Sequence, residues 1–211
     1  MSGGVAESSE TLEEARDRIN RLIDLTDGLV NITVESDENT LDGPMIAKVR
    51  EVAADIAEAF ESGVADGRIT LEALFDRSYR PVPDSDPEQV TAGCTAFCDA
   101  VLPAIQEPLL DFDPRIVFCA AIDENGYLPT HNAKFSQPQG DDPVWNAANC
   151  RNRRIFDDRV GLAAGRNREP FLLQIYRRDM GGGKFVLMKD LSAPITVGGR
   201  HWGGVRIGYK L

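Results

Sequence analysis

The pattern of apolar residues changes at Pro114, and this change constrains the fold more than any other feature of the chain. Before Pro114, apolar residues recur at every third or fourth position, which is typical of amphipathic helices. After Pro114, short apolar runs are separated by turn residues such as Asn125-Gly126, which is typical of strands joined by tight connections. The first part predicts four helices, over 10–34, 44–62, 71–75 and 87–102. The second part predicts strands over 116–122, 171–178, 184–191, 195–197 and 201–209.

Helices followed by successive strands with short connections indicate an α+β fold with an antiparallel sheet. The first 9 residues are small and polar, and we expect them to be disordered. Between the first and second strands of the sheet, residues 129–144 form a long polar loop. Loops of this length in a compact domain are often functional, although an ordinary surface excursion is equally compatible with the sequence.

The charge of the chain is divided unevenly. Residues 1–114 contain 8 Lys and Arg against 25 Asp and Glu, whereas residues 115–211 contain 15 against 9. The formal net charge of −11 argues against a nucleic-acid partner, because phosphate neutralisation needs a basic surface. The positive second half suits a small anion, or it pairs with the acidic first half.

The four cysteines and two histidines do not form a known metal pattern. Cys94 and Cys98 are four residues apart, while Cys119 and Cys150 stand alone, so free buried thiols are the better interpretation. The N-terminus lacks the features of a signal peptide, and the chain lacks an apolar run long enough to span a bilayer. We therefore expect a cytoplasmic protein that does not insert into membranes.

The segment from Cys150 to Arg159 contains four arginines and two aspartates within ten residues. Guanidinium groups bind carboxylates and phosphates through two parallel hydrogen bonds, so this segment suits capture of an anion. Ion pairs with the nearby aspartates or with the acidic helices explain it equally well.

Strand alternation predicts a ligand-facing surface on the sheet. It places Leu172, Gln174, Tyr176 and Arg178 on one face of the strand at 171–178. On the last strand it places Trp202, Gly204 and Arg206 on one side, and the adjacent glycines indicate a bulge or a close approach of backbone. A face open to water is the alternative. No nucleophile or metalloenzyme motif occurs, so we do not expect an enzyme.

Four sequence segments are distinctive: NGYLPTHN (125–132), NRRIFDDRVG (152–161), YRRDMGGG (176–183) and GRHWGG (199–204). Together they resemble the C-terminal sensory region of a group of bacterial methyl-accepting chemotaxis proteins. The resemblance is strongest over 115–211, weaker over 44–114, and extends to 10–35 as a helical connector. Unlike a full receptor, this chain has no HAMP segment or long signalling hairpin, so we expect an excised sensor or a free-standing relative.

The resemblance implies a five-stranded antiparallel sheet of PAS/Cache type, with a pocket on one face covered by residues 129–165. It divides the chain into a disordered N-terminus (1–9), a helical connector (10–43) and a sensory domain (44–211). The implied function is a cytoplasmic chemoreceptor-type domain that binds a small, possibly anionic ligand and signals through its N-terminal helices. We expect the ligand to be contacted by His131, Arg153, Arg154, Gln174, Tyr176, Arg178 and Trp202.

The sequence leaves the ligand, any cofactor, the partner and two alternative functions open. The ligand and any cofactor are not assigned by a motif, and the partner is either a second copy of the chain or a chemoreceptor. A pure interaction module is the first alternative function, and a hydrophobic, filled interior behind Tyr176 would favour it. A haem or metal sensor that uses His131 or His201 is the second.

Overall fold

The computed structural model describes Arg18 and residues 41–179, 183 and 185–211. The chain divides into two units, residues 1–43 and 44–211. The predicted disordered N-terminus, the helix predicted over 10–34 apart from Arg18, and most of the connector lie outside the described residues.

The described residues form five α-helices and two short 3₁₀ helices. The α-helices are α1 (Gly43–Ala65), α2 (Leu71–Leu74), α3 (Thr95–Gln106), α4 (Pro143–Asn149) and α5 (Arg159–Arg166). The 3₁₀ helices are η1 (Pro108–Asp111) and η2 (Ala133–Phe135). The sequence pattern predicted α1 and α2 but not α5, whose N-cap, Asp158, lies within the arginine-rich segment.

The third helix begins later than the sequence predicted. Strand β1 (Arg80–Pro81) pairs with β2 (Val90–Thr91), and this pairing removes the residues before Thr95 from the helix. The helix then continues through Pro103, which the sequence analysis took as its end. A proline inside a helix removes one backbone hydrogen bond and brings its ring close to the preceding turn, which usually weakens the helix, but α3 continues past Pro103 to Gln106.

The remaining strands confirm the α+β class and the antiparallel sheet. They are β3 (Ile116–Asp123), β4 (Tyr127–Leu128), β5 (Arg154–Ile155), β6 (Leu172–Asp179), β7 (Phe185–Val197) and β8 (Arg200–Lys210). The main sheet has four antiparallel strands in the order β3-β8-β7-β6.

The expectation of a five-stranded sheet was wrong for the described residues. Tyr127 and Leu128, which return the chain after β3, pair with Ile155 and Arg154 in a separate two-stranded sheet. The two runs predicted at 184–191 and 195–197 form one continuous strand, β7, because Pro194 stays in the ladder opposite Gly204.

A bulge in β8 directs the side chain of Trp202 to the side of the sheet that packs against α1. The register shifts between Ile195 and Thr196, so that Gly203 and His201 are paired and Trp202 is the extra residue. Its indole packs edge-on against Phe60 of α1, with ring centroids 5.1 Å apart. The predicted alternation along β8 is therefore interrupted at this residue.

The predicted close approach of backbone occurs at Gly204. A Cβ atom at this position would lie 2.5 Å from the carbonyl oxygen of Ala164 and 3.2 Å from that of Ala193. The absence of a side chain thus lets α5 lie directly against β8. Helix α5 ends up on the same side of the sheet as Arg206.

Candidate functional site

One face of the main sheet carries polar side chains at its centre. Gln174 and Arg178 of β6 are buried on this face, while Ile175 and Arg177 between them are exposed. The register places Gln174 opposite Asp190 of β7 and Ser192 opposite Arg206 of β8. The predicted alternation on β6 is confirmed, and it brings the polar residues of three strands together.

Residues 129–165, here called the cover segment, lie over this polar face and leave two connected spaces. The inner chamber has a volume of about 30 Å³ and is lined by side chains that include His131, Arg206 and Phe118. The outer space, here called the arginine cleft, has a volume of about 530 Å³. The two spaces share four lining residues, Arg151, Phe156, Asp158 and Tyr176, so they form one continuous site. The arginine cleft is also lined by Arg154, Arg159, Arg177 and Arg178.

Arg178 lines the arginine cleft and has no protein anion to pair with in the part of the chain described. Its side chain is only 2% exposed, and none of its three guanidinium nitrogens has a hydrogen-bond partner among the described residues. The guanidinium carbon lies 4.5 Å from the ring centre of Phe135 and 5.0 Å from that of Phe118. Burial lowers the pKa of Arg178. The neighbouring Tyr176 raises this pKa, and the positive charge of Arg206 lowers it further. The aromatic rings hold the charge in place without neutralising it.

Arg206, by contrast, is fully paired on its buried side. Its Nε and Nη2 donate to both carboxylate oxygens of Asp190, at distances of 2.7–3.2 Å. Burial alone lowers the pKa of Arg206, but the Asp190 carboxylate raises it above its ordinary value, so the guanidinium stays charged. This pair fixes the floor of the inner chamber and leaves little charge for a ligand.

His131 presents a neutral ring to the inner chamber. The backbone N–H of Asn132 donates to Nδ1 at 2.8 Å, which places the ring proton of the neutral form on Nε2. Burial, followed by the positive charges of Arg151 and Arg178, holds the pKa of His131 well below its usual value. The ring lies between Phe118 and Phe135, at centroid distances of 5.4 and 4.9 Å.

Arg151 and Arg154 lie side by side on the cover segment. Their guanidinium carbons lie 5.0 and 5.1 Å from the ring centre of Phe156, and the Nη1 atoms of both donate to the carbonyl of Ala147. Burial lowers the pKa of Arg151 to about 9, and the charges of Arg178 and Arg154 act in the same direction. The fold thus concentrates like charges that a bound anion would offset.

The structure brings four of the seven predicted ligand residues to the site. His131 lines the inner chamber, Arg154 and Arg178 line the arginine cleft, and Tyr176 lines both. Gln174 is on the same face, but its amide donates to Val160 and accepts from Arg159. Gln174 therefore positions the start of α5, and its role as a ligand contact stays a prediction.

The other two predicted residues lie elsewhere. Arg153 has a positive φ of 58°, which turns its side chain away from the cleft to an ion pair with Asp99 at 2.8 Å. The indole N–H of Trp202 donates to the carbonyl of Leu74 at 2.9 Å, on the helical side of the sheet. Arg153 had been predicted from the composition of the arginine-rich segment and Trp202 from strand alternation, and in each case the local backbone conformation directs the side chain elsewhere.

Four residues that line the site were not among the predicted ligand contacts: Arg151, Phe156, Asp158 and Arg206. The first three belong to the arginine-rich segment, and only the fold shows which members of that segment face the sheet. Arg206 was identified on the correct face by alternation. Its pairing with Asp190 comes from strand register, which the sequence alone does not specify.

The described residues contain neither a metal-binding cluster nor a membrane-spanning helix. No three His, Cys, Asp or Glu side chains come together there in a way that could hold a metal ion, and all four cysteines are buried and free. Within the same residues, no helix has the length and apolar character needed to cross a membrane.

Comparisons with known proteins add little. No protein-family model matches the chain, and no curated protein sequence is similar to it. Among solved structures, an extracellular ligand binding receptor from Desulfohalobium retbaense DSM5692 matches with a TM-score of 0.34 and 14% sequence identity. The match covers 81% of this chain and 25% of the receptor, so the chain spans about a quarter of that protein. At this TM-score the function has to be argued from the site itself.

Proposed function

We propose that this protein is a sensory domain that binds a small anionic molecule in the arginine cleft. The observation that carries the proposal is Arg178, a buried guanidinium whose nitrogens have no hydrogen-bond partner among the described residues. A buried charge normally has a partner, because burial without one costs several kcal/mol. A carboxylate or phosphate group of a ligand supplies that partner.

The charges around Arg178 support the same class of ligand. Five arginines line the arginine cleft against a single carboxylate, that of Asp158, although the chain as a whole has a net charge of −11. The cleft volume of about 530 Å³ lies within the range of small-molecule sites. The arginines of the cleft attract an anion despite the negative net charge of the chain.

The finer assignment is a cytoplasmic domain of chemoreceptor type with a PAS/Cache-like fold. Its support is the resemblance of the four sequence segments, together with an antiparallel sheet that carries a covered pocket on one face. The signal would follow from the position of the cleft between β6 and the cover segment. A ligand that prefers one arrangement of these two parts shifts the domain toward that state.

The output of the domain is assigned to the N-terminal helical segment predicted over 10–34. We propose that it pairs with the same segment of a second copy or with a helix of a chemoreceptor, so that a change in the sensory domain alters this pairing. Analytical ultracentrifugation of the whole chain, with and without ligand, tests for a homodimer.

The first experiment is a thermal-shift screen of the whole chain against carboxylates, phosphorylated metabolites, amino acids and nucleobases. A ligand that binds only the folded state adds about 2.7 kcal/mol of stability at a hundredfold excess over its Kd. We expect hits confined to anions. Arg178→Met should then weaken binding by about tenfold or more, because a charge-assisted hydrogen bond is lost.

Arg200→Met is the matched control. Arg200 also stacks on a phenylalanine, Phe75, at 4.0 Å, but it lies at the β7–β8 turn, outside the arginine cleft. The control variant should bind the anion like the wild type. Neutral or cationic hits alone, or equal binding by both variants, would overturn the proposal.

The two alternative functions receive less support from the site. An interaction module without a ligand was to be favoured by a uniformly hydrophobic, filled interior behind Tyr176. Tyr176 packs against a buried apolar cluster formed by Phe118, Ala120, Ile122, Leu128 and Met188, but the Asp190–Arg206 ion pair also lies near it, so the interior is only partly hydrophobic. A haem sensor would need an accessible histidine. His131 faces a chamber of about 30 Å³, far smaller than a porphyrin, and Nε2 of His201 is hydrogen-bonded to the Gly165 carbonyl at 2.8 Å. A Soret band after haem addition would revive this alternative.

A further inference from the structure

We propose that the anionic ligand is a short peptide that adds a strand to the outer edge of β6, the edge that faces away from β7, and places a carboxylate at Arg178. This inference rests on the proposed function and names the ligand class more closely. The observation behind it is the position of the arginine cleft at the edge of the main sheet.

The cleft follows the outer edge of β6. Four consecutive residues of this strand, 175–178, line it. Successive side chains of a strand point to opposite faces of the sheet, so one face alone presents only alternate residues. A cavity lined by all four residues therefore runs past the edge of the strand, where alternate residues direct their backbone N–H and C=O groups outward.

This edge of β6 is regular and carries no strand among the described residues. The main sheet has the order β3-β8-β7-β6, so β6 has a strand neighbour on one side only. It pairs with β7 over eight consecutive residue pairs without a register shift, whereas the β3–β8 and β7–β8 ladders each contain a shift. Its sequence, LLQIYRRD, contains no proline. An extended edge without a bulge or a proline is a template for another strand.

The second wall of the cleft limits the kind of chain that can take this position. Ala147, Phe156 and Val160 of the cover segment line the same cleft as β6. A two-walled cleft of about 530 Å³ has the size of a small-ligand site. Pairing with the sheet of a second copy would instead need an edge that is open along its whole length. A short peptide is therefore the favoured occupant.

Arg178 belongs to the same strand and adds the requirement for a carboxylate. Its buried guanidinium nitrogens have no hydrogen-bond partner among the described residues. A peptide paired with β6 carries its own side chains alternately on the two faces of the sheet, so every second one lies on the face of Arg178. An acidic side chain at such a position, or the C-terminal carboxylate, supplies the anion. On the other face, Ile175 lines the cleft and is 49% exposed, which favours an apolar side chain of the peptide.

Isothermal titration calorimetry of the whole chain with matched peptides tests the proposal. Acetylated trialanine with a free C-terminus offers a terminal carboxylate, and an acetylated, amidated alanine-glutamate-alanine peptide offers a side-chain carboxylate. The same peptide with glutamine in place of glutamate is the uncharged control. We expect at least one acidic peptide to bind about tenfold more tightly than this control, because a charge-assisted hydrogen bond is lost in the control. Arg178→Met should abolish the difference, whereas Arg200→Met should preserve it.

Methylation of single peptide nitrogens tests the pairing with the strand. In an added strand, the N–H groups of successive residues point alternately toward β6 and away from it. Methylation of one nitrogen of the better acidic peptide should weaken binding about tenfold, and methylation of the next nitrogen should change it little. This comparison uses the wild-type protein, so it stands even where a substitution impairs folding.

Amide hydrogen exchange measured by NMR locates the peptide on the chain. Alternate N–H groups of residues 175–178 should gain protection when the acidic peptide binds. Strand β3, at the opposite edge of the main sheet, is the control within the same molecule. The N–H of Cys119 in β3 already donates to the Asn132 side chain at 2.8 Å, and we expect its protection to stay unchanged.

The possible failures are distinguishable. Binding of no anion of any kind would overturn the proposed function. Binding of a simple carboxylate such as succinate, without binding of either acidic peptide, would keep anion binding but overturn the peptide ligand. Equal effects of methylation at successive nitrogens, or no gain of protection at residues 175–178, would overturn the pairing with β6. Protection of these residues that rises with protein concentration in the absence of peptide would assign the edge to a second copy instead.

Discussion

Replacement of Arg178 by methionine should stabilise the ligand-free protein. In the wild type, this side chain is 2% exposed and its guanidinium has no hydrogen-bond partner among the described residues. A buried charge left without its partner costs about 3–5 kcal/mol. Natural proteins retain such a cost where function needs it, so removal of the charge should recover part of it.

The size of the effect follows from what surrounds the side chain. The contacts with Phe118 and Phe135 offset the cost, since each cation–π contact is worth about 0.5–2 kcal/mol. Methionine replaces these with sulfur–aromatic contacts of about 0.3–1.5 kcal/mol, so the exchange of contacts loses about 1 kcal/mol in total. The net gain is about 2 kcal/mol, which raises Tm by about 4–8 °C in a domain of this size.

The assay is thermal unfolding in a zwitterionic buffer without carboxylate or phosphate, so that no anion occupies the cleft. Arg200→Met controls for the general effect of exchanging an aromatic-stacked arginine, and we expect its Tm to stay at or slightly below that of the wild type. At a saturating concentration of an anionic ligand, the order should reverse, and the wild type should become the more stable protein. A Tm of Arg178→Met at or below the wild-type value would refute the reasoning, because Arg178 would then be a net stabiliser without a ligand.

Three further predictions concern the surroundings of the cleft. Because the folded-state pKa of His131 lies below the unfolded value of about 6.5, the wild type should lose stability as the pH falls through that value. The variant His131→Gln should reduce this pH dependence by up to about 1.4 kcal/mol per pH unit, as measured by urea unfolding at about pH 7.5 and pH 5. Gly204→Ala should destabilise by about 1–3 kcal/mol because its Cβ meets the Ala164 carbonyl, whereas Gly140→Ala, with open space around it, should change stability little. Trp202→Phe should lower Tm and leave the affinity for the anion unchanged, whereas a large loss of affinity without loss of stability would return Trp202 to the ligand site.

The sequence predicted best those features that depend on short-range patterns. The period of apolar residues identified α1, and alternation assigned Gln174, Tyr176 and Arg178 to one face of β6. The local sequence pattern could not predict strand β2, in which Val90 and Thr91 pair with Pro81 and Arg80 and do not join the helix. That pairing depends on residues about ten positions away, which a local window does not compare.

Of the arginine-rich segment, the sequence could give the composition but not the direction of each side chain. Arg153 and Arg154 are adjacent, yet the positive φ of Arg153 turns it toward Asp99 while Arg154 lines the cleft. An arginine rarely adopts that conformation, so propensity argues against it, and the ion pair with Asp99 together with the β4–β5 pairing stabilises it.

The arginines have different roles, and this division makes an anion site compatible with a net charge of −11. Arg153 and Arg206 are paired with Asp99 and Asp190, so these two contribute to the fold and little to the field in the cleft. Arg178 is adjacent to Arg177 in sequence but faces the sheet interior, where no acidic side chain among the described residues pairs with it. Both residues line the cleft, but Arg177 is exposed and Arg178 is buried, so a substitution at 178 removes the buried charge and leaves the exposed arginine in place. The proposed anion site therefore depends on the buried guanidinium of Arg178, which has no hydrogen-bond partner among the described residues, and not on the total number of arginines.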